Sequence, residues 1–155
     1  MEKRLLNKDE LMGMLRKCYE SDKEHMLKYH ITGELGIDYC VNRTLFDFVL
    51  SNVNAFALEQ NGKFVGYFGD EWCSPDRWLT GFFIMPEFRK TLKADVWKAI
   101  TDHFDGSFKV GLYDKNYPAK KFLMKNNCKL VKEVNAPMGY ACVFEYSCKN
   151  DKENK

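Results

Sequence analysis

At 155 residues the chain suits a single domain whose core needs no metals or disulfides to be stable. Apolar residues at 45% and charged residues at 30% are ordinary for a globular protein, and 15% aromatic residues favour substantial sheet. A formal net charge of +2 argues against a general nucleic-acid binder, and no apolar run approaches the roughly 20 residues of a membrane span.

The first elements in chain order are a short strand, predicted at residues 4–6, and a well-marked helix. Apolar residues recur at helical spacing and form one stripe of Leu11, Met14, Leu15, Cys18 and Tyr19. Asn7 precedes this stripe and Glu10 follows three residues later, which is the spacing of a capping box. Residues 21–40 are expected to be irregular. A second helix is indicated by Val41, Leu45, Phe48 and Val49.

The middle of the chain contains a clear hairpin signal. Two strand-like runs, 55–60 and 63–68, flank Asn61-Gly62, which is the strongest two-residue turn sequence. After a turn at 74–76, a further strand is predicted at 78–85.

The second half alternates strands and helices. A helix is predicted after Arg89, with an apolar stripe of Leu92, Val96, Ile100 and Phe104 that ends at Gly106. A shorter helix covers about 119–125, with Pro118 in its first turn. The remaining strands are expected at about 108–113, 129–134 and 140–146.

The predicted order is β-α-α-β-β-β-α-β-α-β-β. We find no internal repeat and no linker, so we expect one α/β (α+β) domain at 1–148, followed by a polar tail at 149–155. The sheet should be mixed but mainly antiparallel and twisted, with about four helices against it.

The cysteines and histidines do not indicate a metal site. None of the six cysteines forms a CxxC pair, and no histidine lies near a cysteine in a zinc pattern. Scattered thiols of this kind are typical of buried small side chains in a reducing compartment. The first ten residues contain no apolar signal-peptide core, so a cytoplasmic protein without metal is expected.

Charge is distributed unevenly along the chain. Residues 86–132 contain eleven Lys or Arg against five acidic residues, while the remainder is net negative. A basic half on a nearly neutral protein suggests a local anionic ligand or an acidic partner surface.

Two motifs within residues 78–133 give the chain a resemblance to a known family. The sequence Met-Pro-Glu-Phe-Arg at 85–89 ends a predicted strand, and Arg-x-x-Leu-x-Ala follows at 89–94. Asn116, Ala119, Phe122 and Lys125 then match a second pattern, Asn-x-x-Ala-x-x-Phe/Leu-Tyr-x-Lys. Both patterns resemble the GCN5-related N-acetyltransferase (GNAT) superfamily, whose element order is similar along nearly the whole chain.

The resemblance implies acetyl-CoA as co-substrate. Backbone N–H groups between Lys90 and Ala94 would bind the pyrophosphate at a helix start, where the helix dipole favours negative charge. Ile84 and Met85 would contact the pantetheine arm and polarise the thioester carbonyl through their backbone. The implied cofactor-binding residues are Ile84, Met85, Arg89, Lys90, Thr91, Leu92, Lys93, Ala94 and Asn116. The lysines could equally be a solvated face, and Asn116 a helix cap.

Three departures from the family pattern concern catalysis. Leu92 replaces a glycine that lets backbone approach the phosphates, although Leu92 also fits the apolar stripe. Leu123 replaces a tyrosine that protonates the leaving thiolate, a role that water, Tyr113 or Tyr117 could take. The strand at 78–85 carries no carboxylate, so the expected catalytic residues are Glu71 as base and Tyr113 as acid.

The sequence leaves three functions open. The first is an acyl-CoA-dependent N-acyltransferase that acetylates an unidentified small-molecule or protein amine. The second is a catalytically silent GNAT-like binding or assembly protein, loosely similar to small GNAT-like proteins of bacteriophages, some of them virion-associated, with a protein partner on the basic half. The third, nucleic-acid binding, is the weakest because the lysines are not interleaved with a regular aromatic platform.

Overall fold

The computed structural model describes residues 1–30, 32–134 and 142–147 as seven strands and five α-helices. The strands are β1 (Glu2–Leu5), β2 (Asn54–Gln60), β3 (Lys63–Cys73), β4 (Asp76–Ile84), β5 (Phe108–Leu112), β6 (Cys128–Glu133) and β7 (Cys142–Tyr146). The helices are α1 (Lys8–Ser21), α2 (Lys23–Tyr29), α3 (Ile37–Leu50), α4 (Lys93–Phe104) and α5 (Tyr117–Lys125). Short 3-10 turns lie at Gly33–Leu35 and Pro86–Phe88.

All seven strands form one sheet in the order β1-β2-β3-β4-β5-β7-β6. Every neighbouring pair is antiparallel except β4 and β5, which run parallel. The β2–β3 hairpin turns at Asn61-Gly62, where both residues have positive φ as a type I′ turn requires.

The sheet separates two apolar cores. One contains residues of α4, α5 and the sheet face that they cover, and the other contains residues of α1, α2, α3 and the opposite face. Successive side chains of a strand point to opposite faces, so Phe68 enters the first core while its neighbour Tyr67 enters the second. The sheet is therefore covered on both sides over its central strands.

The predicted fold class and most elements are confirmed. The stripe of the first helix is wholly buried in α1, and Asn7 and Glu10 form both hydrogen bonds of the capping box. The expectation of an irregular segment at 21–40 is wrong, because α2 lies within it and raises the helix count from about four to five. Seven residues suffice for α2 because its buried residue, Met26, packs into the second core.

Several boundaries differ by one to three residues from those predicted, as expected for element ends. The strand predicted at 63–68 is a larger miss, because β3 continues five residues further, to Cys73. The strand predicted at 140–146 begins within the described residues at Cys142, and the polar tail at 149–155 lies outside them. Across the residues with described structure, no helix has the length and apolar character that a membrane crossing requires.

Candidate functional site

The parallel strands β4 and β5 separate soon after they meet. They pair only at Trp78 with Lys109 and Leu79 with Val110. Beyond these pairs β4 continues along β3, whereas β5 continues along β7. The sheet therefore opens into a cleft between the carboxyl ends of two adjacent strands, a position where α/β proteins commonly bind ligands.

A β-bulge marks the point where the cleft begins. Between the Phe68–Phe82 pair and the Asp70–Leu79 pair, β3 has one residue and β4 has two, Thr80 and Gly81. Gly81 has a φ of +77°, which side-chain-bearing residues rarely adopt. Bulges re-aim the backbone beside functional sites, and Gly81 lines the cleft. Sequence analysis missed this residue, although an isolated glycine inside a strand is a recognised bulge signal.

The cleft holds a cavity of about 290 Å³. Its central walls are residues 81–84 at the end of β4 and residues 110–113 at and just beyond the end of β5. One end is bounded by α1, α2 and α3, and the other by Lys93 and the start of α5. Arg89 also lines the cavity and pairs with Asp22 before α2. The cavity thus runs through the sheet from one layer of helices towards the other.

The basic end of the cavity lies at the start of α4. Leu92 occupies the N-cap position and makes no side-chain capping hydrogen bond, so the first turn of α4 has no side-chain acceptor there. Lys93 lines the cavity, with its ammonium group 5.7 Å from the centre of the Phe122 ring. Asn116 also lines the cavity and caps α5, because its side chain accepts a hydrogen bond from Ala119 N.

The Leu92 side chain does not line this cavity. It is half-buried and packs against the first core, as the stripe at 92–104 predicted. Lys90, Thr91 and Ala94 are exposed near the same turn and are not part of the cavity wall. Of the predicted turn at 89–94, the structure therefore brings Arg89 and Lys93 to the cavity.

Arg89 binds two parts of the chain. Its Nε donates to the Ile84 carbonyl at 2.9 Å, and its guanidinium pairs with Asp22, the residue before α2. The guanidinium also lies 5.1 Å from the centre of the Phe83 ring. Arg89 therefore connects the end of β4 to the start of α2 while it lines the cavity.

Of the two backbone N–H groups predicted to polarise a thioester, those of Ile84 and Met85, the Met85 group already has a partner. Met85 N donates to Val65 O at 2.8 Å, and Met85 O accepts from Phe88 N at 2.9 Å. The Ile84 carbonyl accepts from Arg89. The bulge at Gly81, earlier along the same strand, is the place where β4 backbone departs from regular pairing within the cavity.

A hydrogen-bonded chain of buried and half-buried side chains crosses the other end of the cavity. The Tyr19 hydroxyl lies 3.1 Å from the Tyr67 hydroxyl and 2.9 Å from Thr44 Oγ1, which lies 3.2 Å from His30 Nε2. Thr32 N donates to His30 Nδ1 at 3.1 Å, so Nδ1 is the acceptor and Nε2 carries the proton in the neutral ring. Burial lowers the pKa of His30 to about 4, which keeps the imidazole neutral at pH 7.

The two predicted catalytic residues lie in different places. Tyr113 lines the cavity, and burial with the nearby Asp47 carboxylate raises its pKa to about 12. Glu71 is half-buried in β3, where it accepts a hydrogen bond from Thr80 at 3.1 Å, and it does not line the cavity. Tyr117, the other candidate proton donor, is 58% exposed and also outside the cavity wall.

Other features of the described residues add no further site. Within residues 1–30, 32–134 and 142–147, no group of three or more His, Cys, Asp or Glu side chains is arranged to hold a metal ion. The five described cysteines are unpaired, and all except Cys73 are buried.

Comparison with solved structures identifies the architecture. No protein-family profile and no curated protein sequence matches the chain. An acetyltransferase from Thermus thermophilus superposes with a TM-score of 0.72 at 17% identity, covering 96% of this chain and 98% of its own. The PaiA N-acetyltransferase from Thermoplasma acidophilum, in complex with coenzyme A, gives a TM-score of 0.59 at 16% identity, with coverage of 95% and 98%.

A third structure extends the comparison. The aminoglycoside acetyltransferase AAC(6')-Ib, in complex with coenzyme A, superposes with a TM-score of 0.68 at 15% identity and covers 99% of this chain and 97% of its own. Identities at this level establish the fold alone. The chain has the mixed α/β fold of the GCN5-related N-acetyltransferases, with its sheet split between β4 and β5.

Proposed function

We propose that this protein is an acyl-CoA-dependent N-acyltransferase that moves an acetyl group from acetyl-CoA to an amine. The observation that carries the proposal is the cleft between β4 and β5, which opens at the Gly81 bulge and reaches a basic helix start. Solved structures with the same fold include acetyltransferases in complex with coenzyme A. These neighbours do not favour a silent binding protein.

The basic end of the cleft suits the phosphate-bearing part of the co-substrate. Exposed N–H groups at the start of α4 favour an anion, and the positive charge of Lys93 adds to the helix dipole. Lys90 and Thr91 are exposed beside this turn and could meet the outer phosphates. Asn116 stands across the cleft, where its amide can meet the pantetheine arm.

The chemistry would take place near the bulge. The amine nitrogen attacks the acetyl carbon, and the negative charge that develops on the carbonyl oxygen is stabilised by backbone N–H groups directed into the cleft. The carbon–sulfur bond then breaks, and the sulfur takes up a proton. Tyr113 stays protonated at neutral pH and lines the cavity, so we assign it as the proton donor to sulfur.

Two carboxylates could accept the proton that leaves the amine. Glu71 could receive the amine proton only through intervening water, because its carboxylate lies outside the cavity wall. Asp47 is a carboxylate that lines the cavity itself, and its Oδ2 accepts from Arg43 Nε at 3.0 Å. We keep Glu71 as a proposed base and add Asp47 as the nearer carboxylate.

Isothermal titration with CoA and acetyl-CoA tests the proposal. We expect micromolar binding, and we expect Lys93→Ala to weaken it about fivefold, since one exposed ionic contact contributes roughly 1 kcal/mol. Lys98→Ala is the matched control, because Lys98 is an exposed lysine on the same helix that pairs with Asp102.

Raising the salt concentration should weaken CoA binding to the native protein more than to the Lys93→Ala variant. Absence of heat and of any thermal shift at millimolar CoA would refute the acyltransferase proposal. Equal losses in the Lys93→Ala and Lys98→Ala variants would remove the phosphate site from the start of α4.

A further inference from the structure

The end of the cavity away from α4 is enclosed by a continuous series of rings, which we call the aromatic arc. Neighbouring ring centres along it are 5.8 to 6.4 Å apart, within the range of favourable ring contacts. The arc consists, in spatial order, of Phe48, Tyr67, Phe83, Tyr19, His30 and Tyr113. All six rings line the cavity.

The arc is built into both the sheet and the helices. Tyr67 and Phe83 stack nearly parallel on adjacent strands, with an interplanar angle of 7°. Tyr19 comes from α1 and Phe48 from α3, and both are buried. The Tyr19 and Tyr67 hydroxyls are hydrogen-bonded to each other, so these rings are held in place and offer a preformed apolar surface.

Two ion pairs lie beside the arc. Asp47 pairs with Arg43, and Arg89, which pairs with Asp22, has its guanidinium 5.1 Å from the centre of the Phe83 ring. Asp47 is the one carboxylate among the described residues that line the cavity. Its charge adds to the effect of burial in raising the pKa of Tyr113, the last ring of the arc. Burial lowers the pKa of both His25 and His30, so neither imidazole adds positive charge to this wall at neutral pH.

The size of the cavity limits what can bind. A volume of about 290 Å³ is at the lower end of the range of small-molecule pockets. The thioester end of the co-substrate would fill part of it. An acceptor that reaches the Gly81 bulge past the aromatic arc must therefore be small.

We propose that the acceptor is a small monoamine attached to a flat apolar group, such as an arylalkylamine, with its ring against the aromatic arc and its nitrogen near Asp47. This inference rests on the proposed acyltransferase function and adds the acceptor class. Aromatic faces attract cations, and a single carboxylate matches a single ammonium group. Polyamines and aminosugars carry several ammonium groups and would need several carboxylates in this wall.

The reaction is then an aminolysis. The amine loses the proton of its ammonium form, its nitrogen forms the bond to the acetyl carbon, and the carbon–sulfur bond breaks. A second proton leaves the nitrogen while the CoA sulfur takes one up, so the products are the N-acetylamine and the CoA thiol. No oxidant or metal takes part in this balance.

Titration calorimetry with phenethylamine as the probe tests the acceptor class, with and without saturating CoA. Phenethyl alcohol keeps the ring and removes the charge, and spermidine keeps positive charge and removes the ring. We expect phenethylamine to bind at least tenfold more tightly than either compound. Product formation from acetyl-CoA and phenethylamine is then followed by mass spectrometry.

Two substitutions on α3 test whether the Asp47 carboxylate binds the ammonium group. Asp47→Asn should weaken phenethylamine binding about tenfold and leave phenethyl alcohol unchanged. Asp38→Asn is the matched control, because Asp38 lies on the same helix, pairs with Arg16 and is 77% exposed. A thermal unfolding scan of both variants checks that they are folded.

The outcomes separate the two proposals. Phenethylamine binding without any CoA binding would refute the acyltransferase and leave an amine-binding site at the aromatic arc. CoA binding with no phenethylamine binding up to about 10 mM, a limit near −2.7 kcal/mol, would refute the acceptor class alone. Tighter binding of spermidine, or equal effects of Asp47→Asn and Asp38→Asn, would also overturn it.

Discussion

The substitution Gly81→Ala tests whether the bulge in β4 is a stable part of the fold. Gly81 has a φ of +77°, and a residue with a side chain held there costs about 1–2 kcal/mol. Space is not the obstacle, because an added Cβ would lie 3.7 Å from both Phe48 Cζ and the Tyr67 hydroxyl, an ordinary contact. The loss of stability should therefore come only from holding alanine at a positive φ.

Urea unfolding measures this cost directly. We expect the free energy of unfolding to fall by about 1–2 kcal/mol, equivalent to a melting temperature lower by roughly 2–8 °C for a domain of this size. Acetyl-CoA affinity should fall in the same variant if the backbone relaxes towards regular pairing. A Gly81→Ala variant as stable as the native protein would refute the assigned backbone conformation.

A second glycine provides the control. Gly13 lies within α1, and an added Cβ there would meet no atom within 4 Å. Because alanine favours a helix interior over glycine by about 1 kcal/mol, Gly13→Ala should stabilise the protein. Opposite signs for the same chemical change would show that conformation, and not the added methyl group, determines the result.

Three further predictions concern single side chains. The His30 pKa of about 4 lies below its value in the unfolded chain, so protonation of His30 favours unfolding. The free energy of unfolding contributed by neutral His30 should be complete above about pH 6.5 and should fall by about 3 kcal/mol by pH 4. In urea titrations, His30→Gln should flatten this part of the pH dependence. Leu92→Gly should cost roughly 1–2 kcal/mol, because a half-buried side chain is lost, while titration should find CoA affinity unchanged within about twofold. Tyr113→Phe should slow acetyl transfer to phenethylamine about 100-fold or more without weakening CoA binding, whereas Tyr117→Phe should leave the rate unchanged.

Local sequence patterns correctly predicted the elements whose helix or strand signals come from neighbouring residues. The α1 stripe, its capping box and the Asn61-Gly62 hairpin could all be read from neighbouring residues. Helix α2 could not, because it has seven residues, no side-chain cap at its start and one buried position. Its stability comes from packing against the second core and from the pairing of Asp22 with Arg89, a contact between residues far apart in sequence.

The site was predicted unevenly for the same reason. The motifs at 85–94 and 116–125 led to the basic end of the cavity, since helix starts and their charges are local features. The aromatic arc collects residues from α1, the end of α2, α3, β3, β4 and the end of β5, and no local pattern relates Tyr19 to Tyr113. Only the folded sheet and helices bring these rings around one cavity.

The two ends of the cavity also differ in what specifies them. At the α4 end the important groups are backbone: the separated ends of β4 and β5 and a helix start without a side-chain cap. Leucine at 92 and 123 is compatible with this geometry, because both side chains pack into the first core. Backbone geometry can persist where sequence diverges, as the 15–17% identity to structures of the same fold illustrates. The acceptor end, in contrast, is made of side chains, so a few ring or carboxylate substitutions there would change the amine without changing the fold.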